Sequence, residues 1–121
     1  MRSPLLQLVR DSIEEVIEAR RIIDRDALLA LYPVLEQKIA SIVTIKIDDE
    51  IRGQAKGEEN IKALIDDIIH NAKVAAFQDE RFSPITTAEY LHATIELTLL
   101  IPDEAGNITA ETSSDKALIK A

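Results

Sequence analysis

The stretch IRGQAKG at residues 51–57 is the part of the sequence best suited to chemistry, because an amphipathic helical pattern follows it directly. A glycine-bearing strand end that leads into a helix often binds phosphate, since backbone N–H groups and the positive end of the helix face the anion. Lys56 favours this interpretation. Glu58 and Glu59 oppose it, because two carboxylates in the first helical turn complement the helix dipole and repel a phosphate.

Neither glycine of this stretch belongs to a phosphate-loop motif. The sequence around them matches neither GxxxxGKS/T nor GxGxxG. We therefore expect Gly53 to allow close packing or a bulge, and Gly57 to allow the turn into the helix.

Two groups of side chains could bind a metal ion. Asp66 and His70 are spaced i, i+4, and a site there would also need His92 to come near in space. The acidic pairs at residues 66–67 and 79–80 could together hold a divalent cation. Such acidic residues more often form a solvated surface with local ion pairs, so the sequence predicts no metal site.

Two arginines are candidates for a binding site. Arg52 stands on a predicted strand directly before a glycine, where its guanidinium group either pairs with a carboxylate inside the fold or lines a cleft. The sequence leaves these alternatives open. Arg81 lies in a loop between predicted elements, and its side chain could instead tie down that loop.

An antiparallel sheet is predicted to position these residues. Residues 39–47 alternate in character and are rich in Ile and Val, which predicts a strand. Asp48 and Asp49 supply turn chemistry, and residues 50–55 return as the partner strand. Residues 94–101 alternate apolar with polar side chains, which is typical of an antiparallel sheet with one wet face. We predict that all three strands share one sheet.

Two long helices are predicted to accompany that sheet. Residues 3–20 carry an apolar stripe at helical spacing, and Arg10 falls on the opposite, polar side. Residues 59–77 form the strongest helical pattern of the chain, and we predict that this helix covers the sheet. Asp67 and Asn71 are assigned to its polar side.

The shorter elements are less regular. A short helix is predicted within residues 25–37, limited by Pro33. Thr86 and Glu89 form a capping-box pattern, which predicts a helical turn. Residues 108–121 are compatible with a weak strand, a terminal helix or a loose tail.

The composition of the 121-residue chain limits what the protein can do. Its length suits one domain over residues 1–121. The chain contains no cysteine, which excludes disulfides, zinc–thiolate sites and a thiol nucleophile and fits a cytoplasmic location. We find neither a signal peptide nor an apolar run long enough to span a membrane. The formal charge is −8 and basic residues cluster only at residues 20–25, which disfavours nucleic-acid binding.

Several motifs resemble those of the AMMECR family domain, over about residues 5–102. In that family a strand ends in Leu-Arg-Gly-Cys-Ile-Gly, a helix ends in Ala-Ala-Phe, and Asp-Pro-Arg-Phe-Pro-Pro-Leu-Thr follows. The corresponding segments here are IRGQAKG, AAF and DERFSPIT. The resemblance implies an α+β fold with a small antiparallel sheet packed against helices. It also marks seven residues as the candidate pocket: Arg52, Gly53, Gln54, Gly57, Arg81, Phe82 and Pro84.

The chain departs from the family pattern in two respects. Gln54 stands where the family has cysteine, so an activity that used a reactive thiol cannot operate here, since an amide is no nucleophile. Family domains also continue well past the last matched strand. The resemblance therefore implies a shortened, divergent domain, with residues 103–121 as a C-terminal extension.

These observations favour a non-catalytic binding or regulatory module, which needs no reactive group and no cofactor. The resemblance implies an alternative, because some family members are encoded with a MEMO-type domain and a radical S-adenosylmethionine enzyme. A family-type enzyme, or an accessory protein of such a modification system, would need the glycine hairpin and the Arg81 loop to converge on one pocket. In either case we expect a protein or small-molecule partner, with no nucleic acid and no membrane.

Self-association is also expected. A short open sheet exposes a strand edge, and pairing of two copies would cover it. The tail at residues 107–121 could cover the same edge within one chain. We expect the homodimer, because twofold dimers are the commonest oligomers.

Overall fold

The computed structural model describes residues 3–58 and 61–116. Within these ranges the chain forms one four-stranded antiparallel sheet, with the strand order β2-β1-β3-β4. The strands are β1 (Ala40–Ile47), β2 (Glu50–Lys56), β3 (Thr94–Pro102) and β4 (Ile108–Ser114). The predicted α+β class is confirmed, and the three strands that the sequence indicated do share one sheet.

The described ranges also contain helices of very different length. The α-helices are α1 (Pro4–Ile17), α2 (Arg25–Leu31), α3 (Leu64–Phe77) and α4 (Thr87–His92), and a 3₁₀-helix spans Pro33–Glu36. Ser3 caps α1, since its side chain accepts a hydrogen bond of 3.2 Å from the N–H of Leu6. Within these ranges no helix combines the length and the hydrophobicity that a membrane span requires.

The core lies between one face of the sheet and the helices α1 and α3. The most deeply buried apolar side chains include Val9, Ile13, Val43, Ile45, Leu64, Ile65, Ile68, Ala72, Ile95 and Leu97. Burying one such Leu or Ile side chain stabilises the fold by about 1.5–3 kcal/mol. This packing fixes α3 above the β1–β2 hairpin and therefore fixes the segment that follows α3.

The hairpin turn follows its sequence signature. Asp48 and Asp49 both have positive φ, at 53° and 66°. Two consecutive left-handed residues form the turn whose twist matches that of the flanking strands, and Asp tolerates this conformation. The turn therefore fixes the register of β2 against β1.

The predicted start of the covering helix is wrong. Helix α3 begins at Leu64 and not at Glu59, which itself lies outside the described residues. Glu58 therefore precedes the helix, and the carboxylates of the first helical turn are those of Asp66 and Asp67.

Three polar residues that the helical patterns assigned to solvent are buried. Arg10 is 6% exposed, and Asp67 and Asn71 are 2% exposed. Arg10 donates from Nε to Asp115 Oδ2 over 2.9 Å and from Nη2 to the carbonyl O of Ala93 over 2.7 Å. Polar side chains enter the core here because each has a specific partner, which helical periodicity alone does not reveal.

The tail forms a strand over part of its length. Residues 108–114 are β4, which pairs antiparallel with β3, and residues 117–121 lie outside the described ranges. The edge of β3 is therefore covered within one chain, so this edge no longer argues for the homodimer. Self-association itself stays a prediction.

Candidate functional site

A β-bulge in β2 directs the side chains of the candidate site. Ile45 pairs with Gly53, whereas Lys46 pairs with Ile51, so Arg52 is the extra residue of the bulged strand. Such a bulge bends the strand and breaks the alternation of its side chains. The side chain of Arg52 therefore departs from the regular alternation of the strand and points toward the loop that follows α3.

Gly53 allows α3 to lie directly on the hairpin. A Cβ atom at this position would lie 2.0 Å from the carbonyl O of Ala75. The facing helix surface carries Ala72, Ala75 and Ala76, all buried. Of the two alternatives expected for Gly53, close packing is confirmed, whereas the extra residue of the bulge is its neighbour Arg52.

Arg52 pairs with a carboxylate, which is the first of the two alternatives considered for it. It donates from Nε to Glu89 Oε2 over 2.9 Å and from Nη2 to Glu89 Oε1 over 3.0 Å. Nη2 also donates to the carbonyl O of Ser83 over 2.9 Å. Because this fork-shaped pairing fixes both partners, Arg52 ties β2 to α4 and to the preceding loop.

Glu89 has two roles. It completes the predicted capping box, because its N–H donates to Thr86 Oγ1 over 3.1 Å and its Oε1 accepts from the N–H of Thr86 over 3.0 Å. The hydrogen bond from Arg52, followed by that from the Thr86 N–H, lowers the pKa of Glu89 from 4.5 to about 2. Glu89 therefore stays ionised in all but strongly acidic solution.

The Glu89 pKa gives a test of this pair. In the variant Arg52→Gln we expect the pKa of Glu89 to rise to a value between about 2 and the ordinary 4.5, since Thr86 still donates to it. The folded-state pKa is the depressed one, so the pair stabilises the wild-type fold above about pH 4.5 and this contribution is lost as the pH falls toward 2. A ¹³C NMR titration of the carboxyl group measures the pKa directly.

Arg81→Gln is the matched control for that titration. Arg81 pairs with Asp79 and not with Glu89, so the pKa of Glu89 should stay near its wild-type value. A wild-type Glu89 that titrates near 4.5 would contradict the proposed pairing.

Asp79 connects the loop to the strand. Its carboxylate accepts from Arg81 Nε over 3.1 Å and from Arg81 Nη2 over 2.8 Å. Asp79 Oδ2 also accepts from the backbone N–H of Gln54 over 3.1 Å. The Arg81 side chain is the main cause that holds the pKa of Asp79 well below its usual range. Arg81 thus ties down its own loop, as the sequence allowed.

Phe82 contacts both arginines. The guanidinium carbon of Arg52 is 5.4 Å from the ring centroid of Phe82, and that of Arg81 is 5.3 Å from it. Phe82 is nevertheless 36% exposed. The two cation–π contacts hold an aromatic ring at the surface, where it is accessible to a partner.

Gln54, at the family's cysteine position, lies on the sheet face opposite α1 and α3, because its neighbour Gly53 faces α3. Its Nε2 donates to Thr44 Oγ1 on the neighbouring strand over 2.8 Å. This cross-strand hydrogen bond keeps the amide in place and gives it a structural role.

The structure thus brings four of the predicted site residues together around one loop. Arg52, Gln54, Arg81 and Phe82 are joined through the contacts above, and Pro84 is exposed in the same loop. We name residues 79–84 with Arg52 the Arg-Phe surface. The sequence analysis identified neither Asp79 nor Glu89 as a partner of the two arginines. The Asp-x-Arg spacing could have indicated that Asp79 pairs with Arg81. No comparable signal indicated that Glu89, which was assigned to the capping box, also pairs with Arg52.

Gly57 lies apart from that surface, three residues beyond Gln54 at the end of β2. Its φ is not positive, so it is required for close approach and not for a left-handed turn. A Cβ atom there would lie 2.0 Å from Asp67 Oδ1. The carboxylate of Asp67 therefore lies directly against Gly57, where its negative charge would repel a phosphate.

The candidate metal ligands have separate partners. Asp66 pairs with Arg25 at 2.9 Å, Asp67 turns into the core, and Asp79 pairs with Arg81. Across residues 3–58 and 61–116, no group of three or more His, Asp or Glu side chains is arranged to hold a metal ion.

The fold and the Arg-Phe surface define a small α+β domain in which a bulged hairpin is tied to the loop that follows its covering helix. The chain belongs to the AMMECR1 family, whose sequence pattern matches residues 6–117. The match extends past residue 102 and includes all of β4.

A solved structure supports the same fold. The crystal structure of the uncharacterized protein PH0010 from Pyrococcus horikoshii matches 81% of this chain with a TM-score of 0.68 and 25% sequence identity. The match covers 50% of the PH0010 chain, so the present chain spans half the length of that protein. A comparison with curated proteins found no match.

Proposed function

We propose that this AMMECR1-family domain is a non-catalytic binding or regulatory module that recognises a polypeptide partner through the Arg-Phe surface. The observation that carries the proposal is the position of Phe82, which is 36% exposed and contacts the guanidinium groups of both Arg52 and Arg81. Aromatic and arginine side chains are enriched in protein interfaces and among the residues that contribute most to binding.

The loop that carries Phe82 is fixed before any partner binds. Asp79 and Arg81 pair with each other, and Ser83 accepts from Arg52. The N–H of Ile85 donates to the carbonyl O of Ala76 at the end of α3 over 2.8 Å. A loop that is already ordered loses less conformational entropy on binding, which favours its use as a recognition surface.

The charges of the surface support a polypeptide partner over a nucleic acid. Arg52 and Arg81 are each paired with a carboxylate, so neither offers an uncompensated positive charge to phosphates. The chain as a whole carries a formal charge of −8. Phosphate binding depends on unpaired Lys and Arg side chains. We also propose a cytoplasmic location, for which the absence of cysteine is the support.

The geometry of Gln54 supports a non-catalytic role. Its amide donates to Thr44 and has no nucleophilic character. An accessory role in a modification system linked to a radical S-adenosylmethionine enzyme or a MEMO-type domain would require a docking surface of the same kind. In that case the partner bound at the Arg-Phe surface would be a component of such a modification system.

A peptide-display selection tests the proposal. We expect peptides selected on the wild-type domain to lose affinity by about 10- to 30-fold for Phe82→Ala, since truncation of a central aromatic residue costs about 2 kcal/mol. Fluorescence polarisation with the selected peptides measures the loss, and circular dichroism checks that the variant is folded.

Leu31→Ala is the matched control for that experiment. Leu31 is 68% exposed at the end of α2, which lies far from residues 79–84 in the sequence. We expect this variant to bind like the wild type. Selected peptides that bind Phe82→Ala as tightly as the wild type would refute the proposed surface.

A further inference from the structure

A cavity of about 380 Å³ lies at the end of β2, where Gly57 approaches the first turns of α3. It is distinct from the Arg-Phe surface, none of whose residues lines it. Its volume is within the range of small-molecule sites, at the lower end. Its lining combines apolar side chains such as Val74 with acidic and basic groups.

Asp67 is the most unusual residue of this lining, because it is only 2% exposed. Its Oδ2 accepts from the N–H of Ser41 over 2.6 Å, from Ser41 Oγ over 2.7 Å and from Asn71 Nδ2 over 3.0 Å. Its Oδ1 accepts no hydrogen bond from any residue in the described parts of the chain. One oxygen of a buried carboxylate thus lacks a donor.

A buried carboxylate oxygen without a donor carries a desolvation cost that a hydrogen-bonded cation would remove. Gly57 keeps this oxygen free of a neighbouring side chain, because a Cβ atom there would lie 2.0 Å from Oδ1. The end of β2 and the start of α3 therefore leave Asp67 Oδ1 as an available hydrogen-bond acceptor at the wall of the cavity.

The charged residues around the cavity indicate the class of ligand. Asp67 and Glu58 carry negative charge, whereas Lys56 and Lys62 are exposed and place positive charge on the lining. We propose that the cavity binds a free amino acid, whose ammonium group donates to Asp67 Oδ1 and whose carboxylate is held on the lysine side. The apolar lining then receives the side chain of the ligand.

Other ligand classes fit the cavity less well. A simple anion such as phosphate would face the carboxylate of Asp67 across the Gly57 contact. A metal ion would require several ligands, and the parts of the chain that the structure describes contain no metal-binding group of three or more acidic or histidine side chains. A zwitterion matches both signs of charge in the lining.

The test is an NMR titration of the ¹⁵N-labelled full chain with each common L-amino acid, up to about 10 mM, which exceeds a Kd of about 1 mM tenfold. We expect at least one of them to shift the amide resonances of Gly57 and Asp67 in a saturable way. The desamino analogue of that amino acid should not cause saturable shifts; for leucine this analogue is 4-methylpentanoate. The proposal is overturned if no amino acid gives saturable shifts, or if the desamino analogue gives the same shifts.

Two variants separate binding from folding. Asp67→Asn places an amide beside the ligand ammonium and should weaken binding by about tenfold or more. Lys62→Ala changes an exposed residue, so it should fold normally and weaken binding by about threefold to tenfold. Lys116→Ala is the matched control, because Lys116 contacts Asp49 at the opposite end of β2. Equal affinity of the Lys62 and Lys116 variants would overturn the assignment of the ligand carboxylate.

Discussion

Replacing Asp115 by alanine is expected to lower the free energy of unfolding by about 3–5 kcal/mol, the usual cost of leaving a buried charge without its partner. The side chains of Arg10 and Asp115 are 7% and 0% exposed, and their closest approach is 2.8 Å. Asp115 Oδ1 also accepts from the N–H of Ile95 over 2.8 Å. The substitution would therefore leave the buried guanidinium group of Arg10 without its counter-charge and the backbone N–H of Ile95 without this acceptor.

The position of Asp115 determines where this damage should appear. Asp115 follows β4 directly, and Arg10 lies on α1, so their pair ties the end of the last strand to the first helix. Residues of β4 are exposed along their whole length, so the strand has little apolar burial of its own to retain it. We expect amide hydrogen exchange in β4 to accelerate more than in β1.

Urea denaturation measures this loss, with Glu104→Ala as the matched control. Glu104 is an exposed acid in the β3–β4 turn, so its replacement makes the same change in net charge and should alter stability by less than about 0.5 kcal/mol. Replacing both partners, as in Arg10→Met with Asp115→Leu, should restore part of the loss, because no unpaired charge then remains. An Asp115→Ala variant as stable as Glu104→Ala would show that the buried pair contributes little.

The parts of the fold that follow from local chemistry were predictable from the sequence. The alternation of residues 39–47 and the turn residues Asp48 and Asp49 act within a few positions of one another, and they specify the β1–β2 hairpin. Thr86 and Glu89 likewise specify the start of α4 through contacts three residues apart.

The start of α3 was not predictable in this way. The N–H of Leu64 donates to the carbonyl O of Gln37 over 2.8 Å, so a segment distant in sequence sets the first turn of the helix. The helical pattern that runs from residue 59 contains no signal for that contact. In residues 61–63 the preference for helix is overridden by tertiary contacts such as this hydrogen bond.

The candidate site shows the same limit. The family motif identified Arg52 and Arg81, but their partners Glu89 and Asp79 depend on how the loop folds back on β2. The burial of Asp67 was missed because its partner Ser41 lies 26 positions away. Sequence periodicity predicts the direction of a side chain around its helix. It does not reveal whether a polar partner from another element lies on the buried side.

Gly53→Ala is expected to cost about 3 kcal/mol of stability, at the upper end of the usual penalty for overpacking. The added methyl group would lie 2.0 Å from the carbonyl O and 3.0 Å from the carbonyl C of Ala75, and both are backbone atoms of α3. A flexible side chain could rotate away, but a helix must move as a unit. Since β2 also carries Arg52, that movement should loosen the pair with Glu89 and raise the pKa of Glu89 above about 2.

Gly106→Ala separates this steric effect from the general cost of replacing a glycine. Gly106 has a φ of +86° and no atom within 4 Å of an added Cβ, so its replacement should cost only about 1–2 kcal/mol of backbone strain. Gly53→Ala should therefore lower the urea midpoint more than Gly106→Ala does, and it alone should shift the Glu89 titration. The opposite order of stability would mean that α3 adapts to the added methyl group, and Gly53 would then be required for the bulge beside Arg52 and not for the approach of the helix.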